Sequence, residues 1–171
     1  MTEQFALDVA KIERASGEQA DALSALAMRS KAYWGYNQVF LDACREDLTI
    51  RASEIEHELV YVMSEAGRLV GYYRVRGVPP DGELVDLFVD PLAIGQGYGG
   101  RLLRHAAETA REHGFAALTL QSDPHAEGFY VAMGAIRIGL SVSTVLPDRL
   151  LPLMRLELTS SNVEDGADGS R

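Results

Sequence analysis

The sequence predicts one α/β (α+β) domain, and three observations carry that prediction. Short apolar runs with strand character alternate with stretches of helical spacing, in the order βααβββαβαββ across residues 5–158. A strand near the middle of the chain opens into a glycine-rich loop at the head of a helix, and no internal repeat or linker interrupts the pattern. At 171 residues the chain suits one domain with a sizeable core, expected over residues 1–159. Residues 160–171 are polar and rich in Gly, Ser and Asp, which predicts a disordered tail.

Composition narrows the function classes. The formal net charge of −9 argues against nucleic acid or an anionic membrane surface as the main partner and tilts toward cationic small molecules. No apolar run approaches the ~20 residues that span a bilayer. The N-terminal stretch Met1 to Ala6 lacks a basic and then apolar signal, so a cytoplasmic protein is expected. Cys44 is the only cysteine, which excludes an internal disulfide, and His57, His105, His113 and His125 show no ligand spacing. No metal is expected, and surface positions are expected for most of the histidines.

Taken in order, Leu7, Val9 and Ile12 alternate within a first strand over residues 5–14. Ser16 and Gln19 fit a capping box that starts a helix running to about Lys31, with Ala20, Leu23, Leu26 and Ala27 on its buried face. Tyr33, Trp34 and Tyr36 then cluster around Gly35, before a second helix holding Val39, Phe40, Leu41 and Cys44. The aromatic cluster reads either as a plug over the core or as a pocket wall. His57–Met63 and Arg68–Val78 form a hairpin around Glu65-Ala66-Gly67. Pro79-Pro80-Asp81-Gly82 leads into the central strand, Leu84 to Val89, which Pro91 closes.

Gly95, Gly97, Gly99 and Gly100 leave the backbone uncovered where helical spacing begins, with Leu102, Leu103, Ala106, Ala107 and Ala110 on one face. Free N–H groups at such a helix start suit a phosphate or pyrophosphate. A Walker loop is excluded because Arg101 and Leu102 follow Gly100 where Lys and Ser or Thr belong. The dinucleotide pattern is literally met by Gly95, Gly97 and Gly100, but Asp90 to Ile94 separate it from its strand and the next strand ends in Gln121. That next strand, Phe115–Gln121, is apolar except for Thr119 and is expected to be central. Asp123 and Pro124 cap a helix carrying Phe129, Tyr130 and Met133, which stops at Gly134. Ala135–Ser143 and Leu153–Leu158 close the sheet.

Two of these stretches resemble signatures of the GNAT superfamily of N-acetyltransferases. Val89, Pro91, Gly97 and Gly99 fall in register with its strand ending Val-x-Pro followed by Gln or Arg and x-x-Gly-x-Gly or Ala, with Ile94 in the Gln or Arg position. Ala126, Tyr130 and Gly134 match its Asn-x-x-Ala-x-x-x-Tyr-x-x-x-Gly helix, with Asp123 in place of the Asn. The resemblance implies a mixed, mostly antiparallel sheet flanked by helices. It also implies acetyl-coenzyme A as cosubstrate, held by Leu87, Phe88, Val89, Ile94, Gly95, Gln96, Gly97, Tyr98, Gly99, Gly100, Arg101 and Asp123, with the N–H groups of Leu87 and Val89 at the acetyl oxygen and pantetheine arm.

By the same resemblance Tyr130 is the general acid and Glu83 the base, with Asp86 or water as alternatives for the base. The alternative reading of Tyr130 is a core tyrosine with a satisfied hydroxyl. Trp34 and Tyr36 would border an acceptor, either a small-molecule amine or a peptide, in a monomer or a homodimer. The competing class is a protein of the same fold that binds acyl-coenzyme A as a sensor or interaction module without turnover.

Overall fold

The structure, a computed structural model, describes residues 9–159. Seven strands form one sheet in the order β1-β2-β3-β4-β5-β7-β6. They are β1 (Lys11–Arg14), β2 (Leu59–Glu65), β3 (Arg68–Val78), β4 (Asp81–Val89), β5 (Ala117–Gln121), β6 (Ile136–Val142) and β7 (Leu150–Glu157). The helices are α1 (Ala20–Ala32), α2 (Gln38–Leu48), α3 (Ala52–His57), α4 (Tyr98–Glu112) and α5 (Glu127–Ala132). All neighbouring strands run antiparallel except β4 and β5. Residues 5–8 of the expected opening strand and the expected tail, residues 160–171, lie outside the described residues, and Val9 and Ala10 precede β1.

Local chemistry accounts for several of the boundaries. The Ser16 N–H donates to Gln19 Oε1 at 2.9 Å, so the capping box forms and a short 3₁₀ turn leads into α1. The β2–β3 hairpin turns on Ala66 and Gly67, both at positive φ (49° and 74°), the backbone of a turn whose twist matches the strands it joins. Two cores lie on opposite faces of the sheet. One joins Val70, Tyr73, Val75 and Leu84 to Leu102, Leu103 and Ala106 of α4; the other joins Val60, Val62 and Tyr72 to Leu23 and Leu26 of α1 and Ile55 of α3.

β7 begins at Leu150 and β4 at Asp81, both earlier than expected, and three further boundaries differ for identifiable reasons. His57 ends α3 rather than opening the strand; six residues are too few to show a helical period, and the Glu54 carboxylate accepting the Arg51 N–H at 2.8 Å marks the helix start. α5 begins at Glu127, not at Asp123, because the Asp123 side chain caps a preceding turn by accepting the His125 N–H at 2.9 Å. Phe115 precedes β5, its N–H bonded to Ala110 C=O in the turn made by Gly114 at φ 90°.

The feature that shapes the site is the parting of β4 from β5. Their pairing covers only Asp81–Glu83 against Ala117–Thr119. β4 then continues to Val89 along β3, while β5 continues to Gln121 along β7. A bulge assists the parting: Arg74 pairs with Asp86 and Val75 with Leu84, leaving Val85 as the extra residue.

Candidate active site

A cavity of about 880 Å³ fills the opening between β4 and β5. β4 lines it from Glu83 to Val89, the glycine loop and the start of α4 close one end, and Trp34, Ser143, Thr144 and Val145 border the other. The Asp90 N–H donates to Val70 C=O at 2.8 Å. Strand alternation therefore turns Phe88 toward β3 and the N–H groups of Leu87 and Val89 toward the gap. Among the described residues these donors have no strand partner.

At the other end, Gly95 and Gly97 stand at φ 85° and 79°, a left-handed backbone that favours glycine, and a Cβ on either would meet open space. The first closed bond of α4 is Arg101 N–H to Gly97 C=O at 3.2 Å. The N–H groups of Tyr98, Gly99 and Gly100 accordingly have no acceptor within the helix and sit at the positive end of a 15-residue dipole. This concave row of donors fits a diphosphate. Ile94 lines the cavity beside it, and the Tyr98 hydroxyl donates to Glu65 at 2.6 Å. Gln96 and Arg101 do not line the cavity; the Arg101 guanidinium bonds Ala10 C=O at 2.7 Å.

Tyr130 lies at the cavity wall and is 8% exposed. Burial, and then the charges of Asp86 and Asp123, push its phenol well above the ordinary value, so it stays protonated at neutral pH. Glu83 stands where β4 still pairs with β5, and its carboxylate meets Arg76 Nε at 2.9 Å. Asp86 sits deeper, 7% exposed and next to Leu87. Its carboxyl is pushed up to about 7, chiefly by burial; Arg74 opposes the rise and Glu54 adds to it.

Arg74, 5% exposed, is shared among three carboxylates: it bonds Glu58, reaches Glu54 Oε1 at 3.1 Å and lies 3.9 Å from Asp86 Oδ2. One guanidinium facing three carboxylates leaves this cluster short of positive charge. The Tyr72 hydroxyl is buried within reach of the Asp86 charge without a hydrogen-bond partner.

The aromatic cluster divides. Trp34 lines the cavity and stacks on His125, the ring centroids 5.0 Å apart and the planes 3° from parallel. Tyr36 does not line it. Its hydroxyl instead donates to Asp123 Oδ2 at 2.9 Å and accepts from Arg149 at 2.6 Å, while Lys31 Nζ lies 2.6 Å from the same Asp123 oxygen. Burial and the Asp123 bond raise the Tyr36 phenol to about 12. For Asp123 burial acts to raise the pKa, but Lys31, the His125 N–H and Tyr36 outweigh it and the carboxylate falls below its usual range.

Asp123, expected at the cofactor, lines the cavity and is also the centre of a ring tying α1, the approach to α5 and the β6–β7 loop. Lys31, Arg149 and Arg74 escaped the sequence reading. Only Arg74 carried a signal, as a charge inside the apolar run Val70 to Val75 of β3.

Fold and site together define an acyltransferase that binds an acyl-coenzyme A. The family model for the acetyltransferase (GNAT) family matches residues 26–135, well over half of the chain. The chain belongs to the GNAT acetyltransferase family and is an acetyl-coenzyme A-dependent acetyltransferase.

Solved structures share the fold. The PaiA N-acetyltransferase of Thermoplasma acidophilum in complex with coenzyme A aligns at TM-score 0.71 and 17% identity, over 87% of this chain and 99% of that one. A GCN5-related N-acetyltransferase of Rhodopseudomonas palustris aligns at TM-score 0.75 and 18% identity, covering 88% and 97%. The ribosomal-protein-S18-alanine N-acetyltransferase of Escherichia coli aligns at TM-score 0.66 and 18% identity, covering 91% and 98%. Among curated proteins no sequence matches.

Proposed function

We propose that the chain transfers acetyl from acetyl-coenzyme A to a primary amine of a small molecule or peptide, by direct attack within a ternary complex. The parting of β4 from β5 carries this reading, because it brings the unpaired N–H groups of Leu87 and Val89 into one cavity with the glycine loop, Tyr130 and Asp86. Holding both reactants there makes the attack effectively unimolecular. The Leu87 and Val89 N–H groups are placed to stabilise the charge that develops on the carbonyl oxygen. Glu54 and Asp86 on the cavity wall, with Arg74 between them already bonded to Glu58, favour an acceptor that arrives as an ammonium. Asp86 rather than Glu83 receives the amine's proton, being buried beside Leu87 where Glu83 is tied to Arg76. Tyr130 donates its hydroxyl hydrogen to the departing sulfur.

A screen of amines, amino acids and peptides for release of free thiol tests the reading. With the best acceptor, Tyr130→Phe keeps the ring and should lower kcat by roughly 10²–10⁴ while coenzyme A affinity stays near wild type. No thiol release with any acceptor would overturn the acceptor assignment, and an unchanged kcat would remove Tyr130 from the proton path.

A further inference from the structure

The charges on the cavity wall do not cancel. Lys31 lies 2.6 Å from Asp123, Arg51 2.6 Å from Glu46 and Arg76 2.9 Å from Glu83, so each of these cations is taken by one carboxylate of the same wall. Arg74, the fourth cation on the wall, is held by Glu54 at 3.1 Å and by Glu58. Among the described residues this leaves two wall carboxylates, Asp86 and Asp47, without a cation of their own.

The two stand at different depths. Asp86 is 7% exposed on β4, and the shared Arg74 stops 3.9 Å from it, outside hydrogen-bond reach. A buried carboxylate that faces a cavity without a donor on it is costly until an N–H arrives. Asp47 is exposed at the mouth, where the Thr144 hydroxyl donates to it. It lies in the last turn of α2, at the negative end of the helix dipole, where a cation is the stabilising partner. Arg45, in the same turn, does not serve, because its guanidinium turns back to Asp42 at 3.3 Å. Among the described residues no three groups able to ligate a metal converge, so two separate single charges, not one divalent ion, answer this pair. Leu48 and Val145, next in sequence to Asp47 and Thr144, also line the cavity and offer apolar surface beside the outer charge.

Taking acetyl transfer to an amine as the reaction, we propose that the acceptor is a linear aliphatic diamine, with one nitrogen at Asp86 and the other, as an ammonium, at Asp47; this inference rests on that reading. The inner ammonium gives one proton to Asp86, and its nitrogen bonds the acetyl carbon as the carbon–sulfur bond breaks. The Tyr130 hydrogen passes to the sulfur, and the second proton shed by the nitrogen restores the phenol. The outer ammonium keeps its charge throughout. The products are a monoacetylated diamine and coenzyme A as free thiol.

Thiol release with terminal diamines from ethylenediamine to diaminooctane, each beside the alkylamine of the same carbon number, tests this. The best diamine should exceed its alkylamine in kcat/KM by about fivefold or more, the scale of one exposed ion pair, and mainly through KM because the outer contact is the same before and during attack. The advantage should shrink as salt is added. Asp47→Asn should bring that diamine down to its alkylamine, and Asp47→Glu should restore the difference. Alkylamines that match every diamine, or a preference that survives Asp47→Asn, overturn the proposal. Calorimetric titration of the coenzyme A complex with each diamine reads the site without turnover. Diamine binding that weakens in Asp47→Asn, with no thiol released from any amine, upholds the diamine site and overturns the transfer reading. Neither binding nor turnover of any diamine overturns the site itself.

Discussion

A carboxyl that titrates near neutrality changes charge across the range in which an enzyme works, and Asp86 is placed to do so. Burial raises it to about 7 from an ordinary 3.8. Between those values the folded protein holds a proton that the unfolded chain has released, so this group's contribution to stability falls as pH rises toward 7. The base must be ionised to accept the amine's proton, so activity runs the other way. In the wild type kcat/KM should rise with pH through about 7. Asp86→Asn, which keeps shape and removes the titration, should lose roughly 10²–10⁴ in kcat together with that limb. It should also flatten the fall in Tm between roughly pH 4 and pH 7. A pH–rate profile beside melting curves checks both, with Glu83→Gln as the contrast. If Glu83→Gln abolishes the limb and Asp86→Asn retains it, the base has been assigned to the wrong carboxylate.

The glycine loop and α4 act as an element, and here fold and binding can be separated. Gly99 lies in the first turn of the helix, and a Cβ there meets only ordinary contacts, Phe129 at 3.5 Å being the nearest. An aspartate in a first turn complements the helix dipole. Gly99→Asp should therefore fold with an unchanged or slightly raised Tm. It nonetheless sets a negative charge among the N–H groups of Tyr98, Gly99 and Gly100, so coenzyme A affinity should drop by several kcal/mol, on the order expected for like charges at close range. Calorimetric titration with coenzyme A, alongside a melting curve, measures the two effects. Undiminished affinity would mean that the diphosphate lies elsewhere.

The whole molecule depends on contacts between segments far apart in the chain, and the ring around Asp123 is the clearest. It joins Lys31, Tyr36 and Arg149, and the side chains of Asp123 and Lys31 are only 13% and 16% exposed. Asp123→Ala strands two cations and should cost about 3–5 kcal/mol at neutral pH. The Asp123 pKa is depressed, so its stabilising contribution is present above the usual carboxylate range and is lost as pH falls through the lower folded value; mutant and wild-type melting curves should converge in acid. Coenzyme A affinity measured in the folded variant separates this structural role from the cofactor contact that the family signature implies.

Strand order, every helix except α3, the capping box, the hairpin and the glycine loop were legible along the chain because each depends on residues a few positions apart. Leu87, Val89, Gly97 and Tyr130 were proposed through family signatures that each lie within one strand, loop or helix, and all four line the cavity. The departure of β4 from β5, the burial that lifts Asp86, the capture of Tyr36 and Asp123 by Lys31 and Arg149, and the meeting of Asp47 with Thr144 arise only when the sheet assembles. They are set by which distant segments share a face or an edge, and no local period records that.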